Sequence, residues 1–245
     1  MKILLAPSET KTIGGEGSLN LDTLIFKELN TKREELITNY QNIINSADTE
    51  SLKELFGLKK ESEIQKYINN IYKEPVKKAI ERYSGVAFDY IDYNNLEVDA
   101  KGYIDSNLLI FSNLFGVLKA NDLIPIYKLK QGSKIAGVKI EKFYNQALKE
   151  SLDTYLENED VLDIRAGYYD KFYKPNKKFT TLKFLKGGKV VSHWAKAYRG
   201  IALKYAALNK IKTIKEFIAL QIPNLDLQEI REQGLKQELI YQIEE

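Results

Sequence analysis

Three short stretches of the chain concentrate residue types that handle anions. Ser8, Glu9 and Lys11 stand in "APSETK", directly after an apolar run, and Arg165 stands in "DIRAGYY", after another. Ser192, His193, Lys196 and Arg199 stand in "SHWAKAYRG", which holds the only histidine and the only tryptophan of the chain. Lysine and arginine hold phosphate or carboxylate, arginine through a forked pair of donors. In open α/β sheets ligands bind at the carboxyl ends of the strands. If these three strand ends converge, two lysines, two arginines and a histidine face one glutamate, which makes a pocket for phosphate or another small anion. Glu9, Lys11 and His193 are then the candidates for acid or base work there. The plainer alternative pairs Arg165 with Glu9 at a sheet edge and makes His193 a hydrogen-bonded group that orients a neighbour.

Other chemistries are poorly served. Without cysteine there is no disulfide or thiolate nucleophile, and with one histidine a zinc site would need mostly carboxylates, so no metal and no cofactor is expected. The GxxxxGK[ST] phosphate loop is absent, and "GGEG" neither fits GxGxxG nor opens a helix. A Ser8–His193–Asp163 triad can be assembled on paper, but no GxSxG elbow supports it. Apolar runs fall far short of the ~20 residues of a membrane helix. "MKILLAPSET" reads as a buried first strand rather than a signal peptide, so the expected location is the cytoplasm.

Net charge is only +3, but it is unevenly spread. Between Asp163 and Lys215 fourteen Lys or Arg face two Asp, whereas the residues before and after this block are net acidic. A basic block in an otherwise near-neutral protein suits a polyanionic partner. Lys171, Lys174, Lys177, Lys178, Lys183, Lys186, Lys189, Lys196 and Arg199 are its candidate phosphate contacts. Tyr168, Tyr169, Phe172 and Tyr173 interleave with them, either to stack on an unpaired base or to pack in the core.

These residues need elements to position them. "KILLAP" reads as a strand, and residues 8–20 as a glycine-rich loop. Residues 21–83 carry helical patterns, with Asp48 as an N-cap and Pro75 in the first turn of a helix that ends at Gly85. "VAFDYIDYNNL" suggests a short strand or loop. Residues 108–130 begin as a buried strand or helix and turn at Gly116 and near Asn121-Asp122. Residues 140–158 form an amphipathic helix, residues around 161–164 a strand, and "KFTTLKFLKGGKVVSHWA" a hairpin about Gly187-Gly188. Two further helices and a final one at about 226–243 follow. Interspersed strands and helices without a linker or repeat give a mixed α/β class in a single domain spanning 1–245.

"LLAPSETKTIGGEG", "LLIFSNLFGVLKANDLIPIYKLKQGS", "LDIRAGYY" and "VVSHWAKAYRG" together resemble the YaaA family, also called DUF328 or UPF0246, the bacterial peroxide-stress proteins. The resemblance runs from the first strand to about residue 220, and its "PSETK" form looks like the Gram-positive branch rather than the enterobacterial "SPAKT". It implies one cytoplasmic domain of compact mixed α/β fold and a role in limiting oxidative damage, linked to lower free iron. It also implies binding of double-stranded DNA through a positive cleft and a helix-hairpin-helix-like element. "NLFGVLKANDL", residues 113–123, is the candidate for that element, with Lys119 among the anion contacts. Three readings stay open: a DNA-binding stress protein, an enzyme acting on a small phosphorylated or nucleobase-like substrate, and a scaffold facing an acidic protein. Oligomeric state is not legible.

Overall fold

The computed structural model describes residues 1–46, 48–191 and 193–244, with the side chain of His193 outside the described set. Strand β1 (Lys2–Leu5) leads through a loop to helices α1 (Asn30–Ser46), α2 (Thr49–Phe56) and α3 (Glu61–Ile64). Strand β2 (Val76–Lys78), α4 (Ala79–Arg82), α5 (Val86–Ile91) and α6 (Val98–Asn107) follow. Strands β3 (Leu108–Ser112), β4 (Gly116–Lys119), β5 (Leu123–Pro125), β6 (Lys134–Ile135) and β7 (Val138–Lys139) lead into α7 (Ile140–Leu156). Then come β8 (Val161–Asp163), β9 (Phe179–Lys186), β10 (Lys189–Val190), α8 (His193–Leu208), α9 (Ile214–Ala219), β11 (Leu225–Gln233) and β12 (Lys236–Ile243).

The main sheet has the order β11-β12-β9-β8-β1-β3-β4, with β10 on β9. Its interior is parallel: β1 pairs with β3 and β8, β8 with β9, and β9 with β12, while β4 and β11 close the two edges antiparallel. Parallel strands are covered on both faces, so they read as continuous apolar runs. "KILL", "LLIFS" and "VLD" do so, and all but Lys2 among them are buried. The connection from β1 leaves toward β3 and that from β8 leaves toward β9, in opposite directions. The carboxyl ends of β1 and β8 therefore flank a topological switch point, where such sheets open a crevice.

The mixed α/β class is as read from the sequence, as are β1, α7, β8, α8, α9 and the β9–β10 hairpin. Gly187 and Gly188 take φ of 55° and 73°, the positive pair that a two-residue hairpin turn demands. Four elements differ. Residues 75–85 are not one helix, because Val76–Lys78 pairs with β5 and the buried Arg82 guanidinium binds the carbonyls of Thr12, Gly14, Pro75 and Ile124. Those carbonyls would be left unpaired by a continuous helix. "VAFDYI" is helix α5 rather than strand or loop, packed face to face on α8. Residues 113–123 hold the β3–β4 turn, strand β4 and the start of β5, and no helix, so the helix-hairpin-helix assignment does not stand. The tail at 226–243 is a hairpin, not a helix. β12 completes the sheet on β9 and buries Leu239, Ile240, Tyr241 and Ile243, a gain that outweighs the helical preference of its Gln, Glu and Lys residues.

Candidate functional site

A cavity of about 380 Å³ opens at the switch point. The turn after β1 supplies Leu5 to Thr10, and the turn after β8 supplies Ile164, Ala166 and Tyr169. The start of α5 supplies Gly85 to Phe88, α8 supplies Lys196 and Arg199, and Gln131 closes the rim. The three anion-handling stretches of the sequence thus meet, although not every residue named in them reaches the cavity.

The floor is a locked loop. Thr10 Oγ1 donates to the Ser84 carbonyl at 2.8 Å, so its proton is committed, and in the 3.0 Å contact with Ser8 Oγ it is Ser8 that donates. Ser8 Oγ also accepts the Thr10 backbone N–H at 3.2 Å. Its own proton is therefore spent, and it offers the cavity a lone pair rather than a nucleophile. Gly85 sits so close that a Cβ there would meet both hydroxyls at 3.1 Å, and its φ of +108° requires glycine. Glu9 Oε1 accepts the Gln131 backbone N–H at 3.0 Å, while Oε2 lies 3.5 Å from Lys128 Nζ, which ties the loop to the next wall.

Lys11 does not line the cavity. Its ammonium turns back to the Ser8 and Glu9 carbonyls at 3.2 and 3.5 Å and stands 3.9 Å from the Tyr127 ring centroid. Burial, reinforced by Lys128, pushes its pKa well below the usual lysine value against the opposing pull of Glu9. Beneath it the hydroxyls of Tyr83, Tyr127 and Ser112 form a buried chain, Tyr83 to Tyr127 at 2.8 Å and Tyr127 to Ser112 at 2.9 Å.

Arg165 is a structural residue and no anion contact. It is 6 % exposed, and its Nε and Nη2 grip both oxygens of Asp163 at 2.8 and 2.6 Å. Its remaining reach holds the carbonyls of Tyr169 and Tyr173, and the guanidinium lies over Phe111. Asp163 takes a further bond from the Arg165 backbone and is saturated. Neither residue is left to serve a ligand or to complete a triad with His193. The pair instead shapes the turn that brings Tyr169 to the cavity. Asp163, not Glu9, is its carboxylate partner at the sheet end.

Arg199 is the opposite case. It is half-buried, lines the cavity, and has no hydrogen-bond or ion-pair partner among the described residues. Burial lowers its pKa, and only the field of Asp163 opposes this. A desolvated, unpaired guanidinium is costly unless an anion completes it. Lys196 stands beside it, exposed at the rim. Ser192 lies outside the described residues, and His193 opens α8 with its side chain undescribed.

The remaining candidate lysines divide by sheet end. Lys186 and Lys189 face each other across the hairpin tip, and Lys186 lies 5.6 Å from the Trp194 ring at the start of α8. Lys171 and Lys174 are exposed on the turn after β8, Lys171 over Tyr168 at 4.7 Å. None of these four, nor Lys196, has a carboxylate within 4.0 Å among the described residues. Lys119 and Lys177 sit at the other end. Lys119 pairs with Leu109 near the start of β3, and Lys177 caps the end of α7 through the carbonyls of Leu156, Glu157 and Glu159. Lys178 is paired with Glu232 and Lys183 with Glu238. Of the aromatic group, Phe172 and Tyr173 are buried in packing, Tyr169 is buried with one face on the cavity, and Tyr168 is part-exposed. The sequence reading missed the α5 wall, Lys128 and Gln131. Lys128 and Gln131 sit in a stretch with no strand-end signal, and only tertiary packing brings them to the loop.

Among the described residues no His, Asp and Glu side chains gather in threes as for a metal ion, and no helix is long and apolar enough to cross a membrane. The family model described as "Peroxide stress protein YaaA" matches residues 1–231. The chain is 48 % identical to the Campylobacter jejuni protein Cj0984 over 99 % of both chains. It is also 32 % identical to a UPF0246 protein of Corynebacterium efficiens over 82 % of each, and 30 % identical to one of Streptomyces coelicolor over 82 % of this chain and 80 % of that one. The chain belongs to the YaaA family of peroxide stress proteins.

Proposed function

We propose that this protein acts in the cytoplasm in the response to peroxide by binding double-stranded DNA, limiting iron-dependent oxidative damage, through the cations around the switch-point cavity. The observation that carries this reading is a group of six cations at the carboxyl end of the sheet that have no carboxylate partner among the described residues. Lys171 and Lys174 lie on the turn after β8, Lys186 and Lys189 flank the tip of the β9–β10 hairpin, and Lys196 and Arg199 lie on α8, and none is neutralised by a carboxylate within the described residues. Elsewhere in the same basic block Lys178, Lys183, Lys204 and Lys210 pair with carboxylates and Lys177 caps α7, while Lys212 and Lys215 have no carboxylate partner among the described residues. Unpaired cations on one face suit a phosphate backbone, and they supply affinity without base readout.

Fluorescence-anisotropy titration of a labelled duplex over a salt series tests it. Six phosphate contacts give a log–log salt slope of about −5, and a Lys186→Ala/Lys189→Ala/Lys196→Ala variant flattens it by about 3. No duplex binding at low salt, or a slope untouched by the triple variant, would sink the reading.

A further inference from the structure

We propose that the switch-point cavity is a binding site for a single nucleotide unit, with its phosphate on Arg199 and Lys196 and its base against the wall formed by Phe88 and Tyr169. The proposal rests on the DNA-binding reading for the source of that unit, but the site itself rests on the cavity.

Three observations define the ligand. Its size comes first: about 380 Å³ lies at the small end of the range for ligand clefts, ~300–1,000 Å³. That admits one compact unit and no duplex. Its charge comes second. Arg199 lines the cavity half-buried and has no partner among the described residues, next to Lys196, so the ligand carries an anionic group at that end. Its body comes third. Leu5, Pro7, Ile164, Val86, Phe88 and Tyr169 make the wall apolar, and Phe88 and Tyr169 are 8 % and 3 % exposed. A sugar phosphate without a base would leave its hydroxyls facing that wall unpaired, whereas a flat base fills it. Of the polar groups opposite, Ser8 Oγ, whose proton is spent, and Glu9, whose side chain is 43 % exposed, are acceptors, and the Gln131 amide at the rim offers both a donor and an acceptor. Acceptors suit the amino and ring N–H edge of a base. A phosphate at one end, a flat apolar body and a donor edge together describe a nucleotide.

The same chemistry comes from a free nucleotide or from one nucleotide of DNA swung out of the stack. The lysines at the carboxyl end of the sheet that have no carboxylate partner among the described residues favour the second source.

The test uses a duplex with one 2-aminopurine, titrated with the full chain, brightness and anisotropy being read on the same samples. Extrusion into the cavity raises 2-aminopurine emission several-fold at saturation. Val86→Trp, at the cavity mouth, abolishes that rise when compared at saturation by anisotropy. Calorimetry with deoxyadenosine monophosphate and with deoxyadenosine forms the second arm. Arg199→Met weakens the monophosphate by tenfold or more and leaves the nucleoside unchanged.

Brightening that Val86→Trp removes supports the site with DNA as its source. Monophosphate binding sensitive to Arg199→Met, without brightening, supports the site with the free nucleotide as its source. A bound duplex with neither brightening nor monophosphate binding overturns the site and leaves the DNA-binding reading standing. Monophosphate affinity unmoved by Arg199→Met overturns the phosphate assignment, and absence of all binding overturns both proposals.

Discussion

Two arginines at the same end of the sheet have opposite roles, and the difference lies in their partners. Arg165 is encased by Asp163, two carbonyls and Phe111, whereas Arg199 faces the cavity with no hydrogen-bond or ion-pair partner among the described residues. Removing one member of a buried pair strands the other charge, so Arg165→Met should cost about 3–5 kcal/mol in urea unfolding. Arg199→Met strands nothing, so its denaturation midpoint should stay at or above that of the parent while polyanion affinity falls. Equal losses for the two variants would contradict the assignment. The tyrosine–serine chain under Lys11 makes a second residue-scale prediction. Burial pushes the Tyr127 hydroxyl up to about 12 and that of Tyr83 well above its usual value. Between about pH 10 and 12 the unfolded chain has lost protons that the folded one keeps, so stability falls as pH rises, by about 1.4 kcal/mol per pH unit for each such phenol. Tyr127→Phe should therefore destabilise at neutral pH by about 1–3 kcal/mol, through the unpaired Ser112 and Tyr83, and show a shallower alkaline limb. Urea midpoints from pH 8 to 11 report both effects.

At the scale of elements, the site depends on how closely α5 lies on α8. A Cβ on Gly200 would overlap the Ala87 carbonyl and press on Tyr90, so glycine there lets the two helices touch backbone to side. Gly200→Ala should push α5 outward, cost about 1–3 kcal/mol by overpacking, and disturb the wall made by Val86, Ala87 and Phe88. Thermal unfolding reads the first effect and nucleotide affinity the second. This contact also marks where sequence reading stops. The three strand-end loops were legible because polar residues follow uninterrupted apolar runs, and those runs are what a parallel sheet requires. Helix α5 was not, because "VAFDYI" is short and rich in β-formers, and its packing on α8 decides its state. The tail failed for the reverse reason. Its Gln, Glu and Lys residues favour helix in isolation, but the open edge of β9 offers a full ladder to β12. Residue type alone points Arg165 at a ligand, since nothing in "DIRAGYY" states that Asp163 consumes its guanidinium. Of the residues in "SHWAKAYRG", Lys196 and Arg199 reach the cavity because helix α8 carries them there.

For the whole molecule, the basic block is contiguous in sequence but split in space. Strand β9 runs from Phe179 to Lys186 through the sheet, so lysines at its start and at its end lie on opposite sides of the fold. Lys177 and Lys178 lie before it, one capping α7 and one paired with Glu232, while Lys186 and Lys189 lie at its far tip. Counting charges along the chain merges two populations with different work. If phosphate contacts belong to the carboxyl end only, equal charge removal at the two ends has unequal effects. Lys171→Ala/Lys174→Ala should flatten the log–log salt slope of duplex binding by about 2, since each lost phosphate contact removes about 0.9. Lys177→Ala/Lys178→Ala should leave that slope in place and lower stability by about 1–3 kcal/mol, because three carbonyls at the end of α7 lose their donor. Both variants lose two positive charges, so a binding mode that follows net charge alone would weaken them alike. Anisotropy at three or more salt concentrations, paired with urea unfolding of each variant, separates a built surface from a merely basic protein.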